Sequence, residues 1–270
     1  MSSTRPTIVI YPGAYHYTKH YSTLINLLRD RGYEVVAVEH KSIFNNSQRD
    51  TPHAQSHHDD AAQLRSAVTQ LIEQGRDVLV WCHSYGGIPT TEALAGLGKP
   101  KVAEASKVGG VTHIIYCCAF VVQSGQSLAD VATRFPEGVP SHWAETVNYN
   151  GLTQKVADEQ TVTDAIYHDV DPAVARSAYG TLGYMPLGVF ISPQVNVAHQ
   201  EIPCTYILCE ADRVVKVEVQ EAMTKEAGIT DVVRFPGSHS PFLTRPGEVA
   251  DVVERIMKER ARTEGTSERA

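Results

Sequence analysis

The stretch Val78-Leu79-Val80-Trp81-Cys82-His83-Ser84-Tyr85-Gly86-Gly87 decides the fold of this chain. Its first five residues form a continuous apolar run, which is typical of a strand buried on both faces. A helical pattern follows at residues 88–97. A serine at a strand-to-helix junction, with small residues two positions before and after it, fits a nucleophile elbow. Glycine is usual at both flanking positions; Gly86 fits, and we predict that Cys82 is small enough to replace the other.

The same alternation of strand and helix extends along the chain in both directions. Five further apolar runs predict strands at Thr7–Tyr11, Val35–Val38, Val111–Cys118, Tyr206–Cys209 and Val232–Phe235. Apolar residues at helical spacing predict helices near residues 21–28, 59–72, 217–227 and 248–262. Strands that alternate with helices imply an α/β fold, with a mainly parallel six-stranded sheet and helices on both faces.

One long segment, residues 121–200, interrupts this alternation. It contains scattered aromatic residues with several Pro and Gly but no strong strand pattern. Because the segment is too long for a plain loop, we predict a mostly helical cap inserted over the C-terminal edge of the sheet. The expected division is a core of residues 1–120 and 201–270 with a cap of residues 121–200. Trp143, Tyr167 and Tyr184 are the cap aromatics that we expect to line a largely apolar pocket.

Composition argues against a nucleic-acid-binding, membrane-spanning or secreted protein. The chain has 270 residues, 42% hydrophobic content and a net charge of −7, enough for one sizeable core without a basic face for nucleic acid. No apolar run approaches the roughly 20 residues that cross a bilayer. Residues 1–6 are polar and lack the apolar stretch of a secretory signal, so we expect a cytoplasmic location. The expected partner is a small-molecule substrate, and the expected state is a monomer or homodimer.

The cysteines favour buried thiols over disulfides. There are five, an odd number, and they lie in or at the start of apolar runs: Cys82, Cys117, Cys118, Cys204 and Cys209. Free buried cysteine behaves as a small hydrophobe, so reduced thiols are expected. A cysteine nucleophile is the alternative to the serine of the elbow.

A serine hydroxyl needs a general base within hydrogen-bond reach, and the base needs an acid to orient it. In this arrangement the chain order is serine, acid, histidine. His239 follows the sixth predicted strand and Asp212 follows the fifth, with Glu210 as the rival acid. Both loops leave the C-terminal edge of the sheet, where the loop of Ser84 also lies. We therefore predict Ser84, His239 and Asp212 as a triad.

A developing oxyanion needs two preorganised donors. The backbone N–H of Tyr85 is one, because of its position after the nucleophile. The other is expected from the loop after the first strand, where Gly13 lets the backbone approach a substrate. We assign it to the N–H of Ala14. His16 lies in the same loop and is a candidate substrate-binding residue.

The remaining histidine clusters raise the question of a metal site. The candidates are His53, His57 and His58 beside Asp59 and Asp60, and the pair His16 and His20. Neither group carries an HExxH pattern, and the residues are interpreted as solvated loop and helix positions. We expect no metal and no organic cofactor.

These motifs together resemble one branch of the α/β-hydrolase family, which includes plant methylesterases, hydroxynitrile lyases and bacterial and fungal relatives. The motifs are Tyr11-Pro12-Gly13-Ala14, Cys82-His83-Ser84-Tyr85-Gly86-Gly87, Ala119-Phe120, Cys209-Glu210-Ala211-Asp212 and Gly237-Ser238-His239. The resemblance extends from Thr7 to about Met257. It implies a catalytic triad at Ser84, Asp212 and His239 and oxyanion donors at Ala14 and Tyr85.

Two positions depart from the pattern of that branch. Its usual His-Gly after the first strand is Pro12-Gly13 here, and the lysine that follows the catalytic histidine in hydroxynitrile lyases is Ser240. The second departure argues against cyanohydrin cleavage. We therefore expect hydrolysis of an ester or lactone of a small, largely apolar molecule through an acyl-enzyme. The alternatives are a lyase or retro-aldol enzyme that uses the same triad, and a ligand receptor that keeps the hydrolase fold.

Overall fold

A computed structural model describes residues 5–49, 54–99, 109–149 and 151–267. The strands are β1 (Thr7–Tyr11), β2 (Val35–Ala37), β3 (Val78–His83), β4 (Val111–Cys117), β5 (Ala144–Asn148), β6 (Leu152–Val156), β7 (Met185–Pro186), β8 (Cys204–Cys209) and β9 (Val232–Phe235). Six of them form a sheet in the order β2-β1-β3-β4-β8-β9, in which every neighbouring pair is parallel. All six predicted strands are present, so the predicted α/β fold is confirmed.

Side chains of the sheet alternate between two apolar layers. In β1, Ile8 and Ile10 face one layer, and Val9 and Tyr11 face the other. The helices are α1 (Ser22–Asp30), α2 (His57–Glu73), α3 (Gly87–Leu94), α4 (Leu128–Arg134), α5 (Glu159–Ile166), α6 (Pro172–Tyr179), α7 (Gly188–Ile191), α8 (Val217–Glu226), α9 (Pro241–Thr244) and α10 (Pro246–Ser267). Helices α1 and α10 cover the first layer, and α2 and α3 cover the second. Both faces of the sheet are therefore shielded, which explains the continuous apolar runs.

The segment between β4 and β8 contains α4 to α7 and a three-stranded antiparallel sheet in the order β5-β6-β7. The prediction of a mostly helical cap did not include this sheet. Strands β5 and β6 mix apolar residues with Glu, Thr, Gln and Lys, and most of their residues are partly or fully exposed. They therefore lack the apolar run that marks the strands of the main sheet. The exact division at residues 120/121 and 200/201 stays a prediction.

The cap is attached to the loop that follows β1. The N–H of Gly183 donates to the carbonyl oxygen of Tyr15 at 2.8 Å, and the N–H of Tyr15 contacts the sulfur of Met185 at 3.2 Å. One turn further on, Nε2 of His20 lies 2.8 Å from the hydroxyl of Thr181. These contacts attach the segment between β4 and β8 to the residues that follow the C-terminal end of β1. Over the described ranges, no helix combines the length and apolar character needed to span a membrane.

Candidate active site

Ser84 lies at the sharp turn between β3 and α3, with a positive φ of 52°. A left-handed backbone in a residue other than glycine costs about 1–3 kcal/mol, so the surrounding structure must hold it there. A Cβ on Gly86 would lie 2.2 Å from the carbonyl oxygen of Pro12, and one on Gly87 would lie 2.2 Å from that of Phe120. Only glycine fits either position, because backbone atoms cannot give way. This close packing is the physical reason for the small residues of the elbow.

Cys82 takes the position where a glycine is usual before the serine. Its side chain is fully buried, and its sulfur contacts the carbonyl oxygen of Ile115 on β4 at 3.6 Å. The structure thus accommodates the extra side chain within the second apolar layer. Within the described residues, which include all five cysteines, no disulfide is formed, and Cys204 is the most exposed of the five.

Three loops bring the predicted triad together at the C-terminal edge of the sheet. Nε2 of His239 lies 2.9 Å from Oγ of Ser84, and Nδ1 of His239 lies 2.7 Å from Oδ2 of Asp212. All three side chains are buried, and Ser84 is the most exposed at 7%. Because a carboxylate accepts hydrogen bonds, Nδ1 of His239 carries the proton and Nε2 can accept one from the serine.

Asp212 is fixed by the start of the next loop. Its Oδ1 accepts hydrogen bonds from the backbone N–H groups of Val214 and Val215 at 2.7 and 2.9 Å, which leaves Oδ2 for the histidine. Glu210 lies elsewhere: its carboxylate pairs with Arg234 at 2.9 Å on the exposed surface. The geometry therefore places the carboxylate of Asp212, and not that of Glu210, against His239.

The loop after β1 supplies a candidate oxyanion donor. The N–H of Gly13 donates to the hydroxyl of Tyr21 at 2.8 Å, and that of Tyr15 contacts Met185. Between them, the N–H of Ala14 donates no hydrogen bond within the described part of the chain. An oxyanion site requires preorganised donors that are available to the substrate oxygen, and the N–H of Ala14 is available in this sense.

Tyr85, the other predicted donor residue, is held by a buried carboxylate. Its hydroxyl donates to Oδ2 of Asp60 at 2.7 Å, while the N–H and hydroxyl of Ser42 donate to the same carboxylate at 2.8 and 2.7 Å. Sequence analysis interpreted Asp60 as a solvated position, but its side chain is fully buried. Nothing in its local pattern distinguishes it, because its partners come from two other segments of the chain.

A second buried network lies beneath the elbow. Nε2 of His83 is 2.7 Å from the carbonyl oxygen of His239, and Nδ1 is 2.8 Å from the hydroxyl of Tyr21. Burial lowers the pKa of His83 well below its ordinary value, so the ring is neutral. Since a carbonyl only accepts, Nε2 donates to His239, and Nδ1 accepts from Tyr21. The Tyr21 hydroxyl in turn accepts from the N–H of Gly13, which completes a directed chain.

His16 and Tyr167, two predicted pocket residues, bind each other. Nε2 of His16 lies 2.7 Å from the hydroxyl of Tyr167, and Nδ1 lies 2.7 Å from the carbonyl oxygen of Ala14. Burial lowers the pKa of His16 well below its ordinary value. A neutral ring that donates to Ala14 and accepts from Tyr167 satisfies both contacts. The pair therefore connects the cap to the carbonyl of the candidate oxyanion residue.

Of the other two cap aromatics, the structure brings one to the site. Trp143 packs edge-to-face on Tyr15 at 5.7 Å between ring centroids, and Phe190 lies between Tyr15 and Tyr85 at 6.0 and 5.4 Å. Tyr15, in the loop after β1, and Phe190, in the cap segment, were not predicted as pocket residues. Tyr184 instead packs on Phe44 and lines a separate cavity of about 510 Å³.

The interpretation of the histidine clusters as solvated loop and helix positions is wrong for His16, His20 and His57, because the fold buries all three. His53 lies outside the described residues. His57 and His58 come together with Glu92 of α3, which sequence analysis did not consider, while Asp60 binds Tyr85 and Ser42 instead. The rings of His16 and His20 pack edge-to-face at 5.0 Å between centroids.

Comparison with known proteins gives consistent matches along almost the whole chain. A family model described as "Alpha/beta hydrolase family" matches residues 8–252. A protein of Aspergillus novofumigatus named Alpha/beta hydrolase nvfD is 33% identical over 259 residues, which cover 95% of this chain and 97% of that protein.

Two solved structures share the fold. A pyrethroid hydrolase from Sphingobium faniae JZ-2 superposes with a TM-score of 0.74 at 20% identity, covering 96% of this chain and 100% of the other. The methylesterase MES16 from Arabidopsis gives a TM-score of 0.73 at 17% identity, with 93% and 99% coverage. At these identities the likeness is one of fold alone.

Proposed function

The chain belongs to the alpha/beta hydrolase family, as its motifs predicted. On that premise we propose that it is a serine hydrolase, which acts on an ester or lactone of a small, largely apolar molecule. The observation that carries the proposal is the hydrogen-bonded series that begins at Ser84, in the strained elbow, and runs through His239 to Asp212. Such a series supplies the base and the orienting acid that a weak hydroxyl nucleophile requires.

The reaction begins with proton transfer from Oγ of Ser84 to Nε2 of His239 as the oxygen attacks the substrate carbonyl. Asp212 keeps the proton on Nδ1 and stabilises the imidazolium that forms. The imidazolium then gives its proton to the leaving alkoxide, which leaves an acyl group on Ser84. In the second half, His239 takes a proton from water as the water oxygen attacks the acyl carbon. The bond from the acyl carbon to Oγ then breaks, the imidazolium returns its proton to Oγ of Ser84, and the acid product departs.

The negative charge on the substrate oxygen needs donors that are already in place. We assign this role to the backbone N–H groups of Ala14 and Tyr85. The loop of Ala14 is braced by His16 and Tyr21, and the side chain of Tyr85 is braced by Asp60. Loss of one such donor typically costs about 2.7–4 kcal/mol of transition-state stabilisation.

The substrate class follows from the side chains beside these donors. Tyr15, Trp143 and Phe190 form an aromatic group next to Tyr85, and nearby cap residues pack into the same apolar cluster. Such a lining favours an apolar acyl or alcohol group over a charged one. The names of the two structural neighbours, a pyrethroid hydrolase and a methylesterase, agree with an ester as substrate.

A panel of p-nitrophenyl esters and lactones, assayed with the wild type and with Ser84→Ala, tests the proposal. We expect turnover by the wild type, loss of about 10⁶-fold in kcat for Ser84→Ala, and an unchanged melting temperature. Ser124→Ala, at an exposed serine of the cap segment, is the control and should keep full activity.

The isotope composition of the product separates hydrolysis from lyase chemistry. In ¹⁸O-labelled water, hydrolysis places label in the acid product. Products of a broken carbon–carbon bond would instead support the lyase or retro-aldol alternative. Tight binding of the panel compounds without turnover by a folded wild type would support the receptor alternative.

A further inference from the structure

Two histidines and a glutamate, residue types that bind metal ions, lie together outside the triad, at the start of α2 and on α3. We propose that His57, His58 and Glu92 bind a divalent transition-metal ion of the zinc class. One donor atom from each residue lies within 4.8 Å of the other two. The three residues come from segments 34 positions apart in the sequence, and the fold brings them together. This proposal is independent of the proposed hydrolase function.

His57 gives the first reason to expect a ligand. Its side chain is fully buried, yet neither ring nitrogen has a hydrogen-bond partner among the described residues. A buried polar atom without a hydrogen-bond partner has lost its contacts with water and gained none in return, which destabilises the fold. The neighbouring His58 ring lies 4.1 Å away between centroids. A metal ion between the two rings and Glu92 would provide the missing partner for one nitrogen of His57.

Glu92 is oriented as a ligating carboxylate should be. Its Oε2 accepts from the backbone N–H groups of Val195 and Asn196 at 2.9 and 3.0 Å and from the amide of Gln194 at 3.0 Å. Its Oε1 accepts from the side-chain amide of Asn196 at 2.6 Å and faces Nδ1 of His58 at 3.9 Å. Hydrogen bonds of this kind orient a carboxylate ligand and increase metal affinity. Oε1 keeps a lone pair for an ion on the side of His58.

The exposed side chain of His58 allows the ligand atoms to move together and leaves a path by which the ion can enter. A tetrahedral site with bonds of about 2.1 Å has donors roughly 3.4 Å apart, so donor atoms that lie up to 4.8 Å apart must move closer by up to about 1.4 Å to bind an ion. The side chain of His58 is 41% exposed and makes this movement without disturbing the core. A cavity of about 310 Å³, lined by His58, Glu92 and Asn196, opens beside it. The cavity gives the ion a path of entry and room for water in the remaining coordination positions.

The donor set selects the class of ion. Two imidazoles with one carboxylate suit Zn²⁺, Co²⁺, Ni²⁺ or Cu²⁺, whereas Mg²⁺ and Ca²⁺ prefer oxygen ligands alone. Arg65 also lines the cavity, but its guanidinium is held by the carbonyl oxygens of Ala93 and Ala95 at 2.7 and 2.8 Å. Glu92 also accepts hydrogen bonds from residues 194–196, which lie before β8. A bound ion would therefore strengthen the attachment of these residues to α3.

The test uses the full-length protein after dialysis against a chelator, titrated with Co²⁺ and then with Zn²⁺. We expect the wild type to show a visible Co²⁺ absorption band that saturates near one equivalent and is displaced by Zn²⁺. His58→Ala should lower the affinity by more than the ~10–100-fold that loss of an outer-shell partner costs. His142→Ala, at an exposed histidine outside the cluster, is the matched control and should bind like the wild type.

Thermal melting gives a second readout that does not depend on enzymatic activity. An ion that binds the native state raises the melting temperature, so Zn²⁺ should stabilise the wild type and His142→Ala but not His58→Ala. His58 is exposed, so the variant should fold, which circular dichroism would verify. Equal affinity of His58→Ala and wild type, or no saturable binding by the wild type, would overturn the proposal.

Discussion

The hydroxyl of Tyr21 lies 2.8 Å from Nδ1 of His83, and this buried hydrogen bond joins two loops that carry the proposed catalytic groups. On one side, His83 donates to the carbonyl oxygen of His239. On the other, Tyr21 accepts from the N–H of Gly13, which precedes Ala14. The loop of the base and the loop of the oxyanion donor are therefore held in one directed chain of hydrogen bonds.

Tyr21→Phe should weaken both stability and turnover. The change leaves the N–H of Gly13 and Nδ1 of His83 buried without partners, at a cost of about 1–3 kcal/mol in the free energy of unfolding. Because the loop of Ala14 loses a support, kcat should fall more than KM rises. Urea denaturation and steady-state kinetics measure the two effects. Tyr33→Phe is the control, since that hydroxyl makes only a 3.5 Å contact with Glu254; equal effects of the two variants would contradict the account.

Asp212→Asn should lower kcat by about 10⁴-fold, because an amide that donates to His239 favours the wrong tautomer, as in serine proteases. Glu210→Gln should be mild, since that carboxylate pairs with Arg234 on the surface. Kinetics of both variants on one ester give the comparison. A larger loss for Glu210→Gln would show that the wrong carboxylate has been assigned.

Stability should fall as the pH is lowered below about 6.5. Burial lowers the pKa of His16 and His83 well below 6.5, so below that pH the unfolded chain binds protons that the native state does not. Below pH 6.5, each of these histidines lowers the free energy of unfolding by about 1.4 kcal/mol per pH unit. Above pH 6.5, neither histidine makes the free energy of unfolding depend on pH. Urea denaturation from pH 7.5 to 5 measures the slope. His16→Gln should make it shallower by about one proton, and an unchanged slope would count against a neutral, buried His16.

Trp143→Ala should change substrate preference, because the indole packs on Tyr15 beside the proposed oxyanion loop. Turnover of bulky aromatic esters should fall relative to that of acetate esters. Tyr184→Ala is a matched cap aromatic that packs on Phe44 and should leave the ratio unchanged. Equal losses on all esters, together with a lowered melting temperature for Trp143→Ala, would mean that the indole only packs the cap.

Sequence patterns predict the main sheet and the triad because both follow from local rules. Strands buried on both faces give apolar runs, and loops after parallel strands meet at one edge of the sheet. Ser84, Asp212 and His239 each lie in the turn or loop that follows a strand of this parallel sheet. Their meeting within 2.9 Å follows from the order of the strands.

The supporting contacts could not be predicted in this way. Tyr21 and His83 are 62 residues apart, and Asp60 and Tyr85 are 25 apart, with no local pattern connecting the partners. The cap sheet was missed because β5 and β6 are short and largely exposed. Such features depend on packing between segments, which only the three-dimensional structure specifies.

Labelling with a fluorophosphonate probe tests most directly whether Ser84 is an activated nucleophile. We predict a single adduct on the peptide that contains Ser84, found by mass spectrometry, with none on Ser84→Ala. Labelling of His239→Ala should be much slower, because the serine loses its base. Ester hydrolysis retained by Ser84→Ala, or an adduct at another residue with Ser84 unmodified, would contradict the account.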